Sequence, residues 1–119
     1  MSIKSFTNLI VWQKSHALII DLYKKLQGFP KEELYGLTSQ MKRCSVSVSS
    51  NIAEGFVRKS KKEKINFYCI ALGSITELQN QLLLARDLTF ISKEVFNKFA
   101  GDTIEISKML NTLIKRVSE

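Results

Sequence analysis

From Ser60 to Leu88 the chain runs without a proline or a turn-forming cluster, and it opens on a helix start signal. The signal is SKKE, in which Ser60 can accept from the backbone N–H three residues on and Glu63 can reach back, the reciprocal pattern of a capping box. At 1.5 Å per residue, roughly 28 residues give a helix about 42 Å long. A rod of that length constrains everything else, because it must be covered along its whole length by other helices. Its apolar residues fall on two seams. Ile65, Tyr68, Leu72, Ile75 and Leu82 form one, and Phe67, Ala71, Leu78, Ala85 and Leu88 form another. A helix apolar over so much of its circumference is buried on several sides.

Three further helices can be placed. The first is predicted to start after Asn8, a good N-cap residue, with Leu9, Trp12, His16, Ile19, Tyr23 and Leu26 at three- and four-residue spacing. Gly28 and Pro30 end it. KEELYG is read as a short helical turn, and Gly36 as the break before a second helix carrying Leu37, Met41, Cys44, Val48 and Ile52 on one face. SVSVSS from Ser45 alternates like a strand, but its flanks keep the helical period, so it is read as helix. Ser92 can cap a fourth helix striped by Val95, Phe99, Ile106, Met109, Leu110, Leu113 and Val117, with Gly101 inside it. One Pro and five Gly in 119 residues leave few breaks. Short connections between long helices make neighbours antiparallel, so the fold expected is all-α, an up-and-down antiparallel four-helix bundle forming a single domain over residues 1–119.

The charge is uneven. The formal net charge is +7 and the pI about 9.5, which points to an acidic partner such as nucleic acid. Arg58, Lys59, Lys61, Lys62 and Lys64 crowd into RKSKKEK at the turn between the second and third helices, and Lys42 and Arg43 lie farther along the second. These seven residues are the candidate nucleic-acid contacts, through phosphates and with a steep dependence on salt. The alternative is a solvated helix tip. No recognition-helix motif, zinc knuckle or RNA-binding aromatic signature accompanies them, so base-specific reading is not indicated.

Other chemistry is poorly supplied. A di-iron bundle needs Glu-x-x-His pairs, and the one histidine, His16, has no Glu three positions before it. His16 is read as a core or interface residue. Cys44 and Cys69 lack CxxC spacing and fall about four residues out of register in the hairpin, roughly 6 Å along the axis. They are read as small core residues, reduced in a cytoplasmic protein. No Ser-His-Asp set, Cys-His pair or P-loop can be assembled. The N-terminal MSIKSFTN lacks the apolar segment of an export signal, and no apolar run reaches the ~18 residues of a membrane span. The amphipathic fourth helix ends on Lys115 and Arg116, but its stripe is more simply bundle core than a membrane face. No cofactor, metal or membrane is therefore expected, and the chain is not read as an enzyme.

Asn51 to Leu78, NIAEGFVRKSKKEKINFYCIALGSITEL, together with VWQ at Val11 to Gln13 and FPKEELYGL at Phe29 to Leu37, resembles the family of the 23S rRNA intervening-sequence proteins. Accessory proteins of diversity-generating retroelements look like relatives. The signature NIAEG-x-x-R-x-S is met by Asn51, Glu54, Gly55, Arg58 and Ser60, and Trp12, Gln13, Tyr35, Gly73, Ser74 and Glu77 match the wider pattern. Cys44-Ser45 departs from it, since small apolar residues are more usual there. The matching positions are read as structural or interface residues: Gly73, mid-helix, implies a close backbone contact, and small residues on both helices let their axes approach. The resemblance implies a four-helix bundle assembled as a homopentamer. The function expected is a non-enzymatic oligomeric accessory protein binding RNA or DNA non-specifically. The alternative is a protein–protein interaction scaffold, for example an accessory subunit to a reverse transcriptase.

Overall fold

The structure is a computed structural model and describes residues 4–119. Residues 1–3, part of the stretch read as lacking an export signal, lie outside the described residues. A 3-10 turn at Phe6–Asn8 leads into α1 (Ile10–Leu26), and a second at Lys31–Glu33 leads into α2 (Leu37–Val57). Helices α3 (Lys61–Asp87) and α4 (Lys93–Ser118) follow across short turns. Helix α1 packs on α2 and α4, and α3 packs on the same two, so chain neighbours are space neighbours around a square. This is the expected four-helix bundle, 44 × 25 × 20 Å in extent, and SVSVSS is helical within α2.

The helix ends follow local chemistry. Ser60 Oγ accepts from Glu63 N at 3.1 Å and Ser92 Oγ from Val95 N at 3.1 Å, each satisfying an N–H that the first helical turn leaves free. Helix α2 has a different device. Gly36 supplies no side chain, and Glu33 Oε1 accepts from Leu37 N at 3.0 Å instead. Helix α1 starts one residue later than Asn8 allows. Leu9 is its cap and makes no side-chain bond, because Asn8 is taken up in the preceding 3-10 turn. That turn is held from two sides: Ser5 Oγ accepts from Thr7 N at 3.2 Å, and Gln13 Nε2 donates to Thr7 O at 2.8 Å.

At its far end α3 closes in a Schellman motif. Phe90 N donates to Ala85 O at 2.8 Å and Thr89 N to Arg86 O at 3.0 Å. The motif requires a left-handed residue, and Thr89 takes it at φ 63°. A β-branched side chain is a costly choice there, since the left-handed conformation crowds Cβ against the carbonyl by roughly 1–2 kcal/mol. Phe90 then turns back onto Phe29, with ring centroids 5.5 Å apart.

The core is a continuous cluster with contributions from all four helices. Met41, Ile52, Ala71, Ile75, Leu78 and Leu110 are fully shut from solvent. Each fully buried aliphatic side chain contributes about 1.5–3 kcal/mol relative to exposure. The buried stripe of α1 is Val11, Ser15, Leu18, Leu22 and Leu26, which corrects the expected face. Trp12 and Ile19 sit half-buried at its edge, and His16 and Tyr23 are exposed. His16 is thus not a core residue; it stacks on Trp12 with centroids 4.8 Å apart. Ser15 enters the core because its Oγ donates to Val11 O at 2.7 Å, and Thr103 on α4 does the same with Ala100 O at 2.8 Å.

Candidate functional site

The α2–α3 turn is built around Gly55. It is buried, and a methyl group placed on it would sit 2.6 Å from Tyr68 Cε1 and 3.1 Å from Phe67 Cβ. No side chain fits, so the helices meet here through bare backbone against an aromatic ring. The same test at Gly73 finds nothing within 4 Å, and Gly73 is exposed. The close approach expected at Gly73 is therefore made at Gly55 within this chain.

The basic residues of the turn separate into two groups. Lys64 folds back over the end of α2, its Nζ donating to Phe56 O at 2.6 Å and Gly55 O at 3.3 Å. Carbonyls in the last turn of a helix lack an intrahelical donor; Gly55 O also accepts from Arg58 N at 3.3 Å, so Phe56 O depends most on Lys64. Arg58 lays its guanidinium over the Phe67 ring, 4.6 Å from the centroid, and its Nε is enclosed with no hydrogen-bond partner. Lys61 Nζ donates to Glu119 O at 2.7 Å. Lys59 and Lys62 are exposed and make no hydrogen bond or ion pair with the described residues. Lys42 and Arg43 stand apart from all of these. They are 15 or more residues back along α2, about 22 Å at helical rise. Lys42 lies over the Tyr23 ring at 5.1 Å, and Arg43 is exposed.

Four carboxylates are paired away from the turn. Lys14 pairs with Glu105 and Lys98 with Asp21 between α1 and α4, Lys98 also pairs with Asp102 within α4, and Arg86 pairs with Asp87 at the far end of α3. No ion pair among the described residues involves positions 58–64. Glu63 is the one acid of the turn, and its backbone N–H goes to Ser60.

A second group of motif residues gathers farther up the α2–α3 seam. Ser47 Oγ and Ser74 Oγ share a hydrogen at 2.9 Å, Asn51 Nδ2 donates to Ser47 O at 2.8 Å, and Cys44 Sγ donates to Ser74 O at 2.9 Å. Glu77, Gln40 and Arg43 complete a shallow cavity of about 240 Å³ over this chain of small groups. Burial, and then the nearby Glu77 carboxylate, push the Cys44 thiol up to about 12, so it is a protonated donor at neutral pH. Within this chain these small polar groups bond to one another along the α2–α3 seam. Cys69 is not a core residue like Cys44, because it is exposed. Among the remaining motif positions, Trp12 meets Phe6 edge-on at 5.3 Å, Tyr35 is 93% exposed at the other end of the bundle, and Glu54 is exposed.

One grouping has no counterpart in the sequence pattern. Asn66, Phe67 and Cys69 join Arg58, Ser60 and Lys62 around an open cleft of about 770 Å³. Phe67 was expected on an apolar seam and is half-buried under Arg58. Nothing in the spacing marks Asn66, which comes to the cleft only because α3 is wound past the extended Arg58. Among the described residues no three His, Cys, Asp or Glu converge as a metal site would need, and no helix is long and apolar enough to cross a membrane.

The family model described as 23S rRNA-intervening sequence protein matches residues 7–112. A crystal structure from Bacteroides thetaiotaomicron, described as a protein with unknown function from the S23 ribosomal protein family, is similar at 26% identity with a TM-score of 0.83. That likeness covers 89% of this chain and 96% of the other. No curated protein matches.

Proposed function

The chain belongs to the 23S rRNA-intervening sequence protein family, and from that premise we propose a non-enzymatic, oligomeric accessory protein that binds RNA or DNA without sequence preference through its α2–α3 tip. One observation carries this. The chain has a net charge of +7, its ion pairs lie elsewhere, and Lys59 and Lys62 stand exposed at the tip with no anion of their own. Unpaired lysines on a turn are the electrostatic footprint of phosphate binding, and the counterions released from the nucleic acid drive it. Arg58 and Lys64 hold the turn that presents them, and Arg43 adds a separate charge farther along α2.

The scaffold reading has an observation of its own. Ile70, Leu83 and Leu84 on α3, Leu88 at its C-cap and Ile104 on α4 are each between 41% and 52% exposed. Leu83 and Ile104 line an apolar groove with Phe96 and Ala100. Apolar surface of this kind supports contacts between copies in a homo-oligomer, for which five is the number implied by the family resemblance, or docking of another protein.

Recovery of the crosslinked protein from its host, followed by sequencing of the nucleic acid it carries, separates the readings. Enrichment of many unrelated sequences over a control protein of equal charge supports tip binding. Recovery of a single protein partner with no nucleic acid above the control supports the scaffold and removes the first reading.

A further inference from the structure

We propose that the cleft beside Arg58 seats one unpaired nucleotide, so that the tip takes single-stranded RNA or DNA by a contact that a duplex cannot make. The inference rests on the nucleic-acid reading above and adds the form of the strand to it.

The cleft is about 770 Å³ in volume and opens between the extended Arg58–Ser60 turn and the first turns of α3. That lies within the range of small-ligand sites, roughly 300–1,000 Å³. Its walls carry two kinds of unmet bonding. For a phosphate, Lys62 is exposed without a partner, and none of the five N–H donors of the Arg58 side chain has an acceptor among the described residues. An oxyanion in the cleft is met by two cations, the Arg58 guanidinium and the Lys62 ammonium. Glu63 on the rim opposes this, but two cations face the one carboxylate. For a base, the Asn66 amide is exposed and makes no hydrogen bond to the described residues, which leaves donors and an acceptor for a base edge. The Arg58 guanidinium lies over the Phe67 ring, 4.6 Å from its centroid, and unpaired bases are held on arginine and aromatic faces of this kind.

A duplex has no base to offer here. Its bases are stacked and paired, so it can meet the tip only through phosphates at Lys59 and Lys62. A single strand can turn one base into the cleft while its neighbouring phosphates reach the same lysines.

Cys69 lines this cleft and is exposed, whereas Cys44 is buried. Alkylation of the folded protein by iodoacetamide at neutral pH therefore reads Cys69, and its rate reports whether the cleft is filled. The test compares an oligouridylate of about eight nucleotides, a length within single-strand site sizes, with an RNA duplex of similar length. Each is present at a concentration where fluorescence anisotropy shows it bound. The single strand should slow alkylation about tenfold, and the duplex should leave the rate within about twofold of the free protein. Asn66→Ala, at an exposed position, should reduce protection by the single strand and leave duplex affinity unchanged. Equal protection by both, binding of the single strand without protection, or an indifferent Asn66→Ala would overturn the cleft while leaving tip binding in place. Failure of both nucleic acids to bind at low salt would remove the nucleic-acid reading itself.

Discussion

The seam between α2 and α3 and the seam between α1 and α4 close one bundle with different chemistry. Along the first, contacts are close and mostly neutral: Gly55 against Tyr68, Ser47 and Cys44 against Ser74, and Lys64 on the last carbonyls of α2. Across the second, long charged side chains meet in water, Lys14 with Glu105 and Lys98 with Asp21. The difference shows where charge can go. Helices drawn together by glycine and serine leave no room for ion pairs between them, so the lysines of α3 collect at its exposed start. The acids that form ion pairs lie elsewhere, on α1, on α4 and at the far end of α3.

The largest effect should come from the glycines. Gly55→Ala forces a methyl group into the Tyr68 ring, and overpacking of this kind costs about 1–3 kcal/mol, or roughly 4 °C of melting temperature per kcal/mol in a domain of this size. Gly73→Ala meets nothing within 4 Å and should raise the melting temperature, because Ala is favoured over Gly inside a helix by about 0.8–1 kcal/mol. Equal melting temperatures for the two variants would break the comparison at its root.

Lys64→Met should come next. It leaves Phe56 O at the end of α2 without its donor, while Gly55 O keeps Arg58 N, a loss of about 1 kcal/mol for a partly exposed charged hydrogen bond. Lys59→Gln on the same turn should leave the melting curve where it was. If the two lysines behave alike, the division of the tip into holding and exposed cations is wrong.

A smaller change of opposite sign is expected at the far end of α3. Thr89→Gly relieves a left-handed β-branched residue and should stabilise by about 0.5–1 kcal/mol, the strain removed being partly offset by the freer unfolded chain. The smallest effect belongs to the α1–α4 seam. Lys98→Gln removes ion pairs whose partners are all more than two-fifths exposed, and pairs of that kind contribute little. Its melting temperature should match the parent in both low and high salt. A clear loss at low salt would show that this seam depends on charge after all.

The sequence disclosed the elements more readily than their faces. Ser60 and Ser92 cap as their types suggest, because capping is a local bond between neighbouring residues. The stripe of α1 was legible only to within one residue. Ile10-Val11-Trp12, Leu18-Ile19-Ile20 and Leu22-Tyr23 place apolar side chains on adjacent positions, so two stripes fit the same period. Packing selects the one that includes Ser15, whose hydroxyl is satisfied by its own helix. The glycines show the same limit. Gly55 and Gly73 are alike as letters, and only the position of Tyr68 distinguishes them. The basic cluster was visible as composition. The roles within it were not, since they depend on which lysine reaches a carbonyl across the turn.

The most direct test is a salt series of RNA binding by the parent and by Lys59→Gln/Lys62→Gln, with Lys61 left in place on Glu119 O and the melting temperature of both proteins measured alongside. The double variant should bind all sequences more weakly, and its log–log salt slope should be shallower by about 0.7 for each lysine removed from a single-strand phosphate. Its melting temperature should be unchanged. An unaltered affinity and slope would contradict the account, because the exposed lysines of the α2–α3 tip would then be nothing more than its solvated surface.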